Sequence, residues 1–168
     1  MSVGVIIRKP LILLGTCLLV GCAGIDAAVC QPAVATQDNG SSLAPLEQMA
    51  AQFKKLRGVP GHFDGGTWND DVDRWMGPKH RLMLELGARL GYGEFLKIDI
   101  IKLLNPPDHI ARKGDRLYDQ IFGLPGYDDR PPAAYEFLIY FWRGRHDFLF
   151  FACQGGVIMG SDWWYAGD

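Results

Sequence analysis

Residues 136–165 hold three runs of β-branched and aromatic side chains separated by turn signals, and the first run is apolar on both sides of the backbone. Phe137, Ile139 and Phe141 alternate with Leu138, Tyr140 and Trp142. A strand built from this run points large side chains at both faces of its sheet. Runs 136–142, 148–153 and 157–165 read as an antiparallel β-meander, with turns at 143–147 and 154–156. Such a sheet has no solvated face. One face packs on helices, and the other needs a cover: residues 113–134, a second subunit or a partner protein. Alternation also sends Trp163 and Trp164 to opposite faces, so one of them joins the core and the other is an anchor candidate.

Upstream, the apolar period changes from two to three and four. Ser41 or Ser42 offers an N-cap, Pro45 falls in the first turn, and Leu43, Leu46, Met49, Phe53 and Leu56 form one stripe that ends at Gly58. A second helix is predicted over 78–90, with Pro78 at its start, Leu82, Met83, Leu86 and Leu90 on its buried stripe, and Gly91 after it. A shorter helix near 98–104 closes at Asn105, because Pro106 and Pro107 cannot continue it. Residues 59–68 include four Gly or Pro residues and read as a shaped loop. Residues 113–134 are rich in Gly, Pro, Asp and Arg around Leu117, Tyr118, Ile121 and Phe122, and read as a long, partly anchored loop. The expected fold is α+β, with two or three helices packed on one face of a three-stranded antiparallel β-meander.

The N-terminus supplies an address. Arg8 and Lys9 precede an apolar run from Leu11 to Val20, about half the length that spans a bilayer, so residues 1–21 read as a signal peptide. The string Leu19, Val20, Gly21, Cys22 resembles the lipobox of bacterial lipoproteins, in which the Cys thiolate takes a diacylglyceryl group and becomes the new N-terminus. Two or more acyl chains at Cys22 would give stable anchoring. The alternative is an ordinary secretory signal cut after Ala23 or Ala27. Residues 22–41 hold hardly a large apolar side chain and read as a flexible tether, leaving 42–168 as one domain. The expected location is the bacterial cell envelope, at the outer membrane facing the periplasm, with secretion as a soluble protein the alternative. An oxidising compartment would permit Cys30 and Cys153 to pair, although Cys153 also reads as a small buried hydrophobe.

The chain carries 17 basic and 19 acidic residues, a net charge of −2. That balance lacks the basic footprint of a nucleic-acid binder. No zinc-type Cys/His spacing, nucleophile elbow, H-E-x-x-H or phosphate-cradling glycine loop occurs, so neither a metal nor a cofactor is expected.

Asp99 to Asp108 (D-I-I-K-L-L-N-P-P-D), followed by Y-F-W-R-G, Q-G-G-V-I and D-W-W, resembles the small outer-membrane lipoproteins of the SmpA/OmlA type, over about residues 97–165. That family shares a fold with proteinaceous β-lactamase inhibitors. The resemblance implies helices on one face of a small antiparallel sheet, and a non-enzymatic envelope protein that binds another protein. Asn105 stands where the family has Gly, residues 113–134 look inserted, and 42–90 have no counterpart.

Two constellations compete for function. Tyr140, Trp142 and Trp164 as outward aromatics, with Arg143 and His146 at the 143–147 turn, have the composition of an interface hot spot. They suit an envelope protein as partner, or a second copy of the chain as a homodimer, with membrane contact through the lipid anchor. The other is His80 with Asp70 or Asp71, a pairing for general base work in a hydrolytic or cell-wall-acting enzyme. The bland reading makes the acids helix-start residues and His80 a helix-surface residue.

Overall fold

The computed structural model describes residues 40–92, 95–124 and 135–167, with the backbone alone over 40–44. All lie within one compact unit, Gln37–Asp168. The predicted signal peptide, Cys22, Cys30 and most of the tether fall outside the described residues.

Among the described residues, four α-helices and four strands follow in the order α1 (Gly40–Arg57), α2 (Pro78–Leu90), α3 (Lys97–Leu104), β1 (His109–Ala111), α4 (Arg116–Phe122), β2 (Tyr135–Arg143), β3 (Asp147–Gln154) and β4 (Val157–Trp164). The fold is α+β, with a sheet of order β1-β2-β3-β4 and every pair antiparallel. The expected meander is β2-β3-β4. β1 was not expected: three residues just after Pro106, Pro107 and Asp108 are too few to show an alternating pattern. Its pairing with β2, from His109 against Ile139 to Ala111 against Phe137, is set by the sheet edge it meets.

α2 has the predicted bounds, with Gly77 extended at its N-cap and Pro78 first in the helix. α1 starts at Gly40, inside the expected tether. α3 ends at Asn105, whose φ of +68° and ψ of 170° lie outside the left-handed helical turn and are strained for a residue with a Cβ; Pro106 stops the helix there. Leu46, Ala50 and Phe53 of α1, Met83, Leu86 and Leu90 of α2, and Ile100 and Leu104 of α3 join one buried cluster with Leu138, Tyr140, Trp142, Leu149, Phe151 and Cys153 of the sheet. α2 crosses close to β4: a Cβ on Gly91 would stand 2.3 Å from Ser161 Oγ, and Ser161 Oγ donates to the Gly87 carbonyl at 2.7 Å.

The other sheet face corrects the expected picture. Part of the predicted loop 113–134 is helix α4, capped by Asp115, which accepts from the Leu117 N–H. Tyr118 and Ile121 of α4 close over Phe137, Ile139, Phe148 and Phe150 to make a second buried cluster. All four of those strand residues are fully buried. The cover for the second face therefore comes from within the chain, from the first of the candidates that the sequence offered. Segment 125–134 lies outside the described residues. The seven-residue α4 is too short to show a helical stripe among Gly, Pro and charged neighbours.

Tyr140 and Trp142, expected to point outward, face the helix layer and are buried. Register explains it. Leu138, Tyr140 and Trp142 share their face with Leu149 and Phe151, opposite Phe137, Ile139, Phe148 and Phe150. The two Trp residues of β4 do part company, Trp163 against the helix-side cluster and Trp164 against the α4-side cluster.

Candidate functional site

At the hairpin end of β2 and β3, the segment 58–77 wraps the open edge of the core. Its path follows from one buried acid. Asp73, 2 % exposed, accepts from the backbone N–H of His62 at 2.9 Å and of Asn69 at 2.8 Å. Gly61 is required beside it, since a Cβ there would meet Asp73 Oδ1 at 2.2 Å. The wrapped segment is pinned to the sheet by Trp142, whose indole Nε1 donates to the Val72 carbonyl at 2.8 Å. The Trp142 carbonyl in turn accepts from Lys79 Nζ at 2.7 Å, next to an irregularity in the β2-β3 register between Phe141 and Arg143. These bonds pair the Asp73 carboxylate, the Trp142 indole N–H and the Val72 and Trp142 carbonyls, which apolar packing alone would leave unpaired.

His80 sits in a nest of aromatic rings. It stacks on Trp142 with centroids 4.1 Å apart and an interplanar angle of 18°, with Trp75 at 4.5 Å and the edge of Trp163 at 5.0 Å. Its Nδ1 accepts from the Met76 N–H at 3.1 Å, and Nε2 lies 3.1 Å from Tyr165 Oη. An accepting Nδ1 puts the proton of the neutral ring on Nε2, which donates to the Tyr165 hydroxyl. Burial first, then the Arg143 charge, pushes the His80 pKa down to about 4 against the opposing pull of Asp147. Burial likewise pushes Tyr165 up to about 12.

His80 is therefore neither surface residue nor half of a dyad. Asp70 accepts from Trp68 Nε1 at 2.7 Å and lies 3.7 Å from Arg74. Asp71 meets α2 through its carbonyl, which accepts from the Lys79 N–H at 2.9 Å. Neither carboxylate hydrogen-bonds His80, and both imidazole nitrogens are already used. The predicted Asp–His pairing is not formed.

The predicted partner-binding residues separate into three environments. Tyr140 is buried, with its hydroxyl donating to the Asn105 carbonyl at 2.9 Å and its own pKa raised chiefly by burial. Trp142 is buried as described. Arg143 is a clamp: it pairs with the buried Asp147 at 2.8 Å and lies over the rings of Trp142 at 4.2 Å and Phe63 at 5.0 Å. Asp147 also accepts from the Ala166 N–H at 3.1 Å, tying down the C-terminal segment. Trp164 is half-buried and stacks on Phe148. Only His146 of the five is exposed, together with its neighbour Arg145. Arg145 forms no ion pair among the described residues.

Beside this hairpin lies an open cleft of about 880 Å³, bounded by residues 57–60, Phe63, Asp64, Lys79, Asp108 and the strand-turn residues 141, 142, 144 and 145. Phe63, Phe141 and Trp142 give it aromatic walls. Three cations, Arg57, Lys79 and Arg145, and two acids, Asp64 and Asp108, line it. Arg57 and Asp108 bind each other at 2.6 Å, and Asp108 also accepts from the Phe141 N–H at 2.8 Å. Lys79 is 3 % exposed, and burial holds its pKa below the usual lysine range, against the pull first of Asp64 and then of Asp108.

Sequence reasoning gave no site role to Arg57, Asp73, Lys79, Asp108 or Asp147. Pro78 at a helix start does mark Lys79 as a first-turn residue. That its ammonium turns inward is a tertiary fact. Among the described residues, no group of three or more His, Cys, Asp or Glu side chains is placed to hold a metal ion, and no helix is long and apolar enough to cross a membrane. Cys153 is a buried free thiol, its pKa raised chiefly by burial. Its pairing with Cys30 falls outside the described residues. Compared with protein-family models, with curated proteins and with solved structures, the chain gives no significant match.

Proposed function

We propose that this chain is a non-enzymatic binding module of the bacterial envelope, tethered through a lipidated Cys22, which holds a partner protein at the cleft between segment 57–64 and the β2-β3 hairpin. The observation that carries the reading is the cleft itself, where aromatic walls and unmatched charges converge on one open surface. Arg145 stands exposed at its rim and Phe63 is 41 % exposed beside it. An Arg next to a large ring is the composition of interface hot spots. The apolar sheet faces are spent inside the fold, so recognition moves from the expected sheet face to this cleft. Tethering raises the local concentration of the module toward other envelope proteins, so a modest affinity serves.

A photo-crosslinking side chain at position 145 of the full-length protein, in the cells that make it, tests this. Position 159, exposed on β4 at the other end of the sheet, is the control. The expected result is one adduct of defined mass from position 145, absent from position 159 and weakened by Phe63→Ser. Identical adducts from both positions, or none, would overturn the reading. An adduct with a second copy of the chain would replace the hetero-partner by a homodimer.

A further inference from the structure

Lys79 is a buried cation whose hydrogen-bonding capacity is only partly used. An ammonium carries three donors, and among the described residues Nζ has one acceptor, the neutral Trp142 carbonyl. Among the described residues no carboxylate lies within 4.0 Å of it. Asp73 is occupied by two backbone N–H groups and Asp108 by Arg57 and the Phe141 N–H. Asp64 is exposed, so water screens its charge. A buried ammonium left in this state is costly unless something else completes its shell. The cleft reaches Lys79 and would admit such a group.

We propose that the cleft takes the carboxylate of its ligand on Lys79 Nζ, with Arg145 as the outer cation and an apolar or aromatic neighbour of that carboxylate against Phe63, Phe141 and Trp142. This rests on the cleft being the recognition surface. The charge count selects the anion. Three cations face two acids, and the Arg57–Asp108 pair neutralises itself, leaving Lys79 and Arg145 against Asp64. That excess of one positive charge matches a monoanion. A doubly charged phosphate would meet Asp64 and Asp108 at close quarters with one cation too few. A peptide chain terminus and a Glu or Asp side chain both offer the required carboxylate.

Three small probes distinguish these sources on the full-length protein: N-acetyl-phenylalanine, the internal acid N-acetyl-Phe-Glu-amide, and N-acetyl-phenylalanine amide, which has no carboxylate. NMR titration follows the Trp142 indole N–H and the Gly144 backbone N–H. A carboxylate-bearing probe is expected to bind about tenfold more tightly than the amide, the size of one charge-assisted hydrogen bond. The free acid leads if the ligand is a chain terminus, and the internal acid leads if it is a side chain. Lys79→Met should remove most of the acids' advantage over the amide while the probe still shifts Gly144. Arg145→Glu, at an exposed position that leaves the fold intact, should weaken the acids and spare the amide, and it stands as the test if Lys79→Met does not fold. Equal shifts from acids and amide, or no shift from any probe, overturn the carboxylate site. An adduct from position 145 alongside equal probe binding would remove this inference and leave the binding module standing.

Discussion

Lys79 and His80 are neighbours in the chain and both are almost fully buried, at 3 % and 1 % exposure, yet they enter regions built on opposite terms. Around His80 every polar valence is filled: Met76 and Tyr165 take the two ring nitrogens, and three Trp rings enclose the imidazole. Around Lys79 one donor is used and a cleft lies alongside. Burial of a titratable group therefore does not by itself mark a site. A saturated group is part of the core, while a group with unused donors beside open space is a candidate binding position.

The strongest way to break this contrast is to remove Trp142, which serves both regions. It stacks on His80, holds Val72 through its indole and receives Lys79 on its carbonyl. Trp142→Ala should cost on the order of 3–5 kcal/mol in urea unfolding, as deletion of a large buried ring does. A cost under about 1 kcal/mol would mean that segment 58–77 is held by something other than this ring.

The pH profile sharpens the His80 side. Unfolded, the imidazole has its ordinary value of 6.5; folded, it is pushed down to about 4. The unfolded chain therefore takes up a proton as pH falls below 6.5 while the folded one does not. The stabilisation is complete above 6.5 and is lost as pH drops toward 4. The two-and-a-half-unit gap sets the loss on the order of 3 kcal/mol. His80→Leu should flatten that part of a stability profile measured by urea unfolding from pH 7 to pH 4. An unchanged slope would show that His80 protonates without cost, and the nest would no longer count as closed.

The smallest effect is expected at Lys79. Lys79→Met removes a buried charge and its desolvation cost while leaving the Trp142 carbonyl without that donor. The two terms oppose each other, and stability should change by no more than about 1 kcal/mol in either direction. A loss of 3 kcal/mol or more would make Lys79 as structural as His80 and dissolve the contrast.

Much of the architecture was legible because it rests on local chemistry. Pro78 and Gly91 frame α2, Pro106 stops α3 at Asn105, and alternation in 136–142 gives β2. α4 was not legible, since seven residues between a Gly-containing turn and a Gly/Pro-rich stretch carry no measurable period. The site was less legible than the fold. Arg143 was singled out as a partner-binding side chain, but Asp147 lies across the hairpin and turns it into a clamp. Asp70 and Asp71 stood out by their proximity to His80 in sequence, while the buried acid of that run is Asp73.

The sequence by itself determined that two faces of one sheet had to be covered, because a strand of alternating large apolar residues exposes one set whichever way it turns. It also determined that Trp163 and Trp164 would part, by the same period of two. Only the tertiary structure decided which face meets the helices, because alternation defines two sets without ranking them. It also decided that α4 covers the other face, that Tyr140 and Trp142 point inward, and that an inward-turned Lys79 meets a cleft. Those outcomes depend on contacts between residues far apart in the chain, such as Lys79 with Trp142 and Arg57 with Asp108, whose free energy is realised only when the elements have already come together.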